Sequence, residues 1–429
     1  MAALDGLDPE SAGSNRHRSV RQVAAASIGN VFESYDFLVY AFVADHIAVA
    51  FFGEQGSARG LMAAFAVFGV GLIARPFGAW FLGRLSDRHG RRVALIASLL
   101  GMAIGTVGIG LLPDYSSIGR AAPILLIALR CMQGFCAGGE WGTATAFVVE
   151  SAPASRRGTF GSIGQAANYA AMLLAGAIVA TLTSRLSPSE MGQWGWRLAF
   201  LFGALLIPVA LWLRSRLEET QAFHDVRQDD PSRHALPLAA TARTFGLTIV
   251  FTVSSYLLLG YFPTFASHYG GLSAGEALTS NSIAVVFAVL CTIGAGRLSD
   301  RFGRRAVLLA GCGGLVVASY PLFLLAVDAE SIGRIIAIQL AFNLLVGTVS
   351  GPMAATLVEL FPANLRTTYL SLGYTFCTVL LGGFSPLIVT ALITYTGAPT
   401  APALFLIAAA AASGWVAFTM RETAWAPLR

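Results

Sequence analysis

Asn30, Glu33, Asp36 and Tyr40 recur at spacings of three and four inside an otherwise apolar run. On a helix that spacing puts all four on one face. Two acids cannot be turned toward lipid, because an ionisable group at membrane depth costs ~3 kcal/mol or more unless a partner or water meets it. Glu33 and Asp36 are therefore candidate proton carriers, with a structural ion pair as the plainer alternative. In the next apolar run Arg75 precedes Pro76 and lies eight residues before Gly83. At about 1.5 Å per residue it sits roughly 12 Å inside the end of its helix, too deep to reach the surface comfortably. Further on, Arg130, Gln133, Ala137 and Glu140 form one stripe, beside a Gly134/Gly138 pair that admits a neighbouring helix. A nearby cation lowers a carboxylate pKa, and its departure lets a proton bind. By that chemistry Glu33, Asp36 and Glu140 are expected to carry protons, with Arg130 as their switchable counter-ion. Gln165, Asn168 and Tyr169, then Trp196-Arg197, add polar groups for a substrate.

The elements that must position these groups are membrane helices. Hydrophobic residues make up 55% of the 429-residue chain and charged residues 12%, at a mean hydropathy of +0.68, which excludes a water-soluble globular domain. Runs long enough to cross a bilayer, about 20 residues, occur twelve times, from 22–52 to 401–419. The fold class is an all-α membrane protein with twelve transmembrane helices. Net charge is +5, yet the Arg residues cluster in alternate loops, so topology explains them and nucleic acid does not. The Arg-rich side is expected to be cytoplasmic, with both termini there.

The chain also repeats itself. Gly83 to Arg92 reads GRLSDRHGRR, and Gly296 to Arg305 reads GRLSDRFGRR, 213 residues later. Val149-Glu150 and Pro153-Ala154 recur 209 residues on as Val358-Glu359 and Pro362-Ala363. An internal repeat of this kind divides the chain into two related halves. The divisions are a polar, disordered tail at 1–21, six helices over 22–215, a cytoplasmic linker at 216–236, six helices over 237–420 and a tail at 421–429. The N-terminal half carries the buried charges. The C-terminal half offers neutral groups, among them Tyr256, Asn343 and Tyr374.

Several chemistries find no support. The five cysteines lie within apolar runs without a CxxC pair and read as packing residues. Gly271 to Gly275 fits GxSxG, but a nucleophile elbow needs a preceding strand; Ser273 with Glu276 reads instead as a capping box. Nothing resembles HExxH, a Walker loop or GxGxxG, so no metal, no cofactor and no enzyme activity are expected. Acids in the first run argue against a cleaved signal peptide.

The repeated GxxxDRxGRR segment resembles the signature of the major facilitator superfamily. Within it, GNVFESYDF at 29–37, ARPFG at 74–78, RCMQGFCAGGEWG at 130–142, ESAPASRRG at 150–158, LEET at 217–220 and LVELFPANLR at 357–366 resemble the metabolite:proton symporters. That family imports citrate, tricarballylate, 2-oxoglutarate, shikimate, proline and betaine. The resemblance implies a proton-coupled importer of a small di- or tricarboxylate, acting as a monomer in the inner membrane by alternating access. A zwitterion symporter and a non-transporting membrane sensor are the alternatives. The substrate would meet Asn30, Tyr40, Arg75, Gln133, Gln165, Asn168, Arg197, Tyr256, Asn343 and Tyr374, with Arg75 as its anchor. Gating would fall to Gly83, Asp87, Arg88, Gly90, Arg91, Arg92 and Glu150, and to Gly296, Asp300, Arg301, Gly303, Arg304, Glu359 and Arg366. Asp87 is expected at the N-terminus of the eleventh span near Asn364, Asp300 at that of the fifth near Ser155, and Arg88, Arg91 and Arg92 on Glu150 and nearby carbonyls.

Overall fold

The computed structural model describes residues 9–52, 58–220, 223 and 236–428. The expected tail at 1–8 and most of the linker, 221–222 and 224–235, fall outside them. Among the described residues there is no strand. The longer helices of the first half are α1 (Pro9–Phe42), α2 (Ala44–Phe52), α3 (Ala58–His89), α4 (Arg91–Leu111), α5 (Ala121–Glu150), α6 (Arg157–Arg185) and α7 (Trp196–Ser215). Those of the second are α8 (Leu238–Ser254), α9 (Phe262–Tyr269), α10 (Ala274–Phe302), α11 (Arg304–Ala326), α12 (Ile332–Glu359), α13 (Arg366–Cys377), α14 (Ser385–Thr396) and α15 (Ala401–Thr419). Eleven helical stretches are long and apolar enough to cross a membrane, or twelve when α1 and α2 count as one broken span.

Three differences from the sequence reading stand out. Residues 9–20, expected to be disordered, open α1 as helix. The run at 22–52 is bent by 68° between Phe42 and Ala44. Three spans pass through wide helical turns, at Met191–Gly195, Ser255–Tyr261 and Thr378–Gly382. Such turns shift side chains off the regular helical register and recur at functional sites. The expected capping box is present: Ser273 and Glu276 close α10 reciprocally.

Glycines permit the close approaches that set the geometry. A Cβ on Gly134 or Gly138 would overlap the carbonyls of Gly71 and Arg75, so α5 lies directly on α3. The two bundles meet where α6 packs on α10 and α12, and where α13 packs on α3 and α5. At the motif end of that seam a Cβ on Gly83 would fall 2.6 Å from Thr368 Cα. Gly90 and Gly303 join consecutive helices at φ +104° and +95°, a conformation strained for any residue with a Cβ. Both glycines of the repeat therefore have steric reasons.

Candidate functional site

A cavity of about 200 Å³ lies between the bundles. Metabolite pockets usually begin near ~300 Å³, so this one is contracted. The first half supplies Glu33, Ser34 and Phe37 from α1, Arg75 from α3, Trp141 from α5, and Gln165, Asn168 and Tyr169 from α6. From the second half come Phe251, Thr252, Ser255, Tyr256, Tyr374 and Thr378, three of them on the wide turns at Ser255–Tyr261 and Thr378–Gly382. Both charged groups thus come from the first half, and the second half adds only neutral ones.

Arg75 is the cavity's cation and Glu33 its acid, 3.4 Å apart with both side chains about nine-tenths buried. The guanidinium lies 4.8 Å from the Phe37 ring centroid, and its Nε has no partner. One loose ion pair leaves donors available. Around it, Ser34 donates to Asn168 at 3.2 Å, and Tyr169 meets Ser350 at 3.0 Å across the bundle interface. Trp141 stacks on Tyr374 with centroids 3.8 Å apart.

Behind the cavity Asp36 is held far more tightly. It accepts hydrogen bonds from Thr106 Oγ1 at 2.7 Å and Gln133 Nε2 at 2.6 Å, with Arg130 Nη1 3.8 Å away. Arg130 also donates to Gln133 at 2.9 Å and lies over the Tyr40 ring at 4.2 Å. A pocket of about 10 Å³ separates this cluster from Glu33 and Arg75, roughly the room for one water. A third buried pair joins Glu140 to Arg214, with Ser98 donating to Glu140 as well. A side chain at Gly29 would overlap that guanidinium.

At the motif face the repeat makes a two-fold charge network. Asp87 accepts from the backbone N–H of Thr367 and Thr368, at 3.1 and 2.9 Å, and from Thr368 Oγ1 at 2.7 Å. Asp300 accepts from Gly158 N, Thr159 N and Thr159 Oγ1 at 2.7–2.8 Å. Each carboxylate caps the N-terminus of a helix in the other bundle, where unsatisfied N–H groups and the helix dipole favour an anion. Arg91 bridges Asp87 and Glu150 at 3.1 Å each and donates to Ala363 O at 2.7 Å; Arg304 bridges Asp300 and Glu359. Arg366 donates to Glu150 at 2.6 Å, and its repeat counterpart Arg157 lies 4.0 Å from Glu359. Thr220 and Thr423 donate to the same two glutamates, both at 2.6 Å. Glu219 and Glu422 then cap α4 and α11 through the N–H groups of Arg92, and of Arg304 and Arg305. Burial opposes charge on Glu422, but four backbone N–H groups hold its carboxyl below the usual range.

These positions correct several expectations. Arg130 is not a shared counter-ion: Glu33 faces Arg75, Glu140 faces Arg214, and only Asp36 lies within ion-pair distance of Arg130. Arg197 does not line the cavity; it donates to Gly110 O and Leu112 O at the far end of α4. Asn30 and Tyr40 are packed in the first bundle, Tyr40 donating to Ala64 O. Gln133 serves Asp36, and Asn343 donates to Gln339 O within α12. Arg88 is exposed, Arg301 packs on Phe302, and Arg92 donates to Ser215 O, so of Arg88, Arg91 and Arg92 only Arg91 reaches Glu150. The capped N–H groups belong to Thr367, Thr368, Gly158 and Thr159, a few residues beyond Asn364 and Ser155.

Replacing Asp87 by Asn removes a charge that receives three cross-bundle hydrogen bonds. Hydrogen bonds to charged groups are worth ~1.5–3 kcal/mol, so a loss of about 2 kcal/mol shifts the bundles roughly thirtyfold toward separation at this face. Spin-label distances between the ends of α3 and α13 should lengthen. Unchanged distances and unchanged transport would remove Asp87 from the closure.

Comparison with known proteins agrees with this architecture. The family model described as Major Facilitator Superfamily matches residues 26–386. The chain belongs to the major facilitator superfamily, and it is a membrane transporter rather than an enzyme. A citrate-proton symporter of Klebsiella pneumoniae is 36% identical over 89% of this chain and 87% of its own length. The proline/betaine transporter of Escherichia coli K12 is 33% identical over 95% of this chain and 85% of its own. Among solved structures, a proton:xylose symporter bound to 6-bromo-6-deoxy-D-glucose superposes with a TM-score of 0.80 at 18% identity, covering 96% of this chain and 98% of that one.

Proposed function

We propose that this protein is a proton-coupled symporter that imports a small carboxylate by alternating access, with the motif face cytoplasmic. The observation that carries the reading is the Arg75–Glu33 pair inside a cavity shared by both bundles. While Glu33 is ionised it occupies the cation that a substrate carboxylate needs. A proton on Glu33 cancels that claim and leaves Arg75 free to offer its planar fork of donors. Proton and substrate thus favour one another's binding, which is the thermodynamic requirement for symport. Further carboxylates of a di- or tricarboxylate would meet Gln165, Asn168, Tyr256 and Tyr374, or enter protonated. With the inside negative, each net negative charge carried inward works against ~2.3 kcal/mol per 100 mV, a cost removed when the anion enters with as many protons as charges.

The closed motif face and the contracted cavity fit a state shut toward the cytoplasm. The Arg-rich loops beside that face support its orientation, and an inner-membrane, monomeric protein is the simplest setting.

A zwitterion is the second reading. Trp141, Phe251 and Tyr374 line the cavity, and an ammonium within about 6 Å of the face of such a ring is attracted to it. Uptake into proteoliposomes under an imposed pH gradient, screened over citrate, tricarballylate, 2-oxoglutarate, shikimate, proline and betaine, separates the two. Accumulation of the acids supports the first reading; accumulation of proline or betaine alone replaces it with the second.

Glu33→Gln should uncouple the cycle, since an amide keeps much of the shape but exchanges no proton. Substrate exchange across the membrane is expected to survive while gradient-driven accumulation falls at least ~tenfold. Wild-type accumulation in this variant would take Glu33 out of the proton path.

A further inference from the structure

The α3/α13 seam has an outer side. Arg75, Tyr374 and Thr378 face the cavity. On the opposite faces Pro76, Phe77, Trp80, Phe376 and Leu380, with Phe135 of α5, line an apolar groove of about 640 Å³. Phe77, Trp80, Phe376 and Leu380 are all exposed, so in a membrane the groove opens onto acyl chains.

The repeat walls its two seams with different residues. In the equivalent positions of α10, 213 residues after Phe77, Trp80 and Phe81, stand Leu290, Ile293 and Gly294. Ala167, Ala170 and Ala171 of α6 stand 209 residues before Phe376, Val379 and Leu380. Aromatic and branched side chains wall the α3/α13 side where its counterpart has smaller residues.

The groove also has a charged end. Phe77, Trp80, Arg84 and Arg88 form one exposed stripe on α3, with the Arg84 guanidinium 4.3 Å from the Trp80 ring centroid. Among the described residues neither Arg84 nor Arg88 has a carboxylate within ion-pair distance. From Pro76 to Arg84 the helix rises roughly 12 Å, which carries the stripe from acyl-chain depth to the headgroup level where Trp and Arg collect. We propose that this groove is a binding site for one anionic phospholipid, its acyl chain between α3 and α13 and its phosphate on Arg84 and Arg88. A lipid there bears on the seam whose inner side carries Arg75 and whose end is closed by Asp87.

The test uses the full chain in phosphatidylcholine vesicles doped with brominated phosphatidylglycerol or brominated phosphatidylcholine. Trp80 emission is taken as the difference between the parent protein and Trp80→Phe. Brominated phosphatidylglycerol should quench it about fivefold more effectively, the preference one arginine has for a net-negative headgroup over a zwitterionic one. Arg84→Gln with Arg88→Gln should abolish that preference, and Arg84→Lys with Arg88→Lys should keep it. Equal quenching by both lipids, or a preference that survives removal of both arginines, means ordinary boundary lipid only and overturns the site.

Discussion

Arg75→Gln is expected to weaken substrate binding by at least ~30-fold and to abolish measurable uptake. The argument begins with desolvation: a carboxylate that leaves water for a closed cavity loses several kcal/mol of hydration unless a fixed cation replaces it. Arg75 is the one cation among the residues lining this cavity. Truncating one partner of a buried, hydrogen-bonded charge pair costs ~2–5 kcal/mol, and each 1.4 kcal/mol is tenfold in affinity. Arg75→Lys should fold and bind with intermediate affinity, because an ammonium keeps the charge but cannot supply two parallel donors. Glu33 complicates the single variant, since removing Arg75 also leaves that acid without its partner at 3.4 Å. Arg75→Gln combined with Glu33→Gln removes this difficulty. If Arg75 is the anchor, the double variant remains unable to bind. If Arg75 only neutralises Glu33, the double variant recovers affinity, and the anchor assignment fails. Calorimetry at fixed pH reads either result.

The fold was legible because its signals are long or repeated. Runs of about 20 apolar residues state the spans, and the GRLSDR repeat states the two halves and the placing of Asp87 and Asp300. Charge partners were harder, because spacing along one helix says nothing about what the neighbouring helix brings. Arg130 shares a stripe with Glu140 in sequence, yet the cation that reaches Glu140 is Arg214 at the end of α7. Arg214 sits in an Arg-rich stretch that reads as a topology determinant, yet its side chain is fully buried. Some missed partners did leave a trace. Arg157 stands 209 residues before Arg366, and Glu219-Thr220 recurs 203 residues later as Glu422-Thr423. The repeat, beyond its obvious decamer, thus carries these partners too. Bends and wide turns had no such trace: nothing in the run at 22–52 marks the 68° break.

Glu140 and Arg214 yield the last expectation, which separates stability from coupling. The two side chains are 1% and 0% exposed, and Arg214 also donates to Leu95 O while Ser98 donates to Glu140. This pair ties α5 to α4 and α7 inside the first bundle, away from the cavity between bundles. Removing one member of a buried pair costs about 3–5 kcal/mol, because the other charge is stranded in a low dielectric. Total stabilities of ~5–15 kcal/mol leave little after such a loss. Glu140→Gln and Arg214→Gln should therefore each lower the yield of folded protein and its unfolding midpoint in detergent. Glu140→Leu with Arg214→Leu should be far less damaged than the single losses added together, since no charge is stranded and apolar replacements of buried pairs are often neutral. Transport per folded molecule should persist in that double variant. If Glu140 instead carried the coupled proton, Glu140→Gln would fold normally, retain substrate exchange and lose accumulation. A normal unfolding midpoint together with lost accumulation would return Glu140 to the proton path.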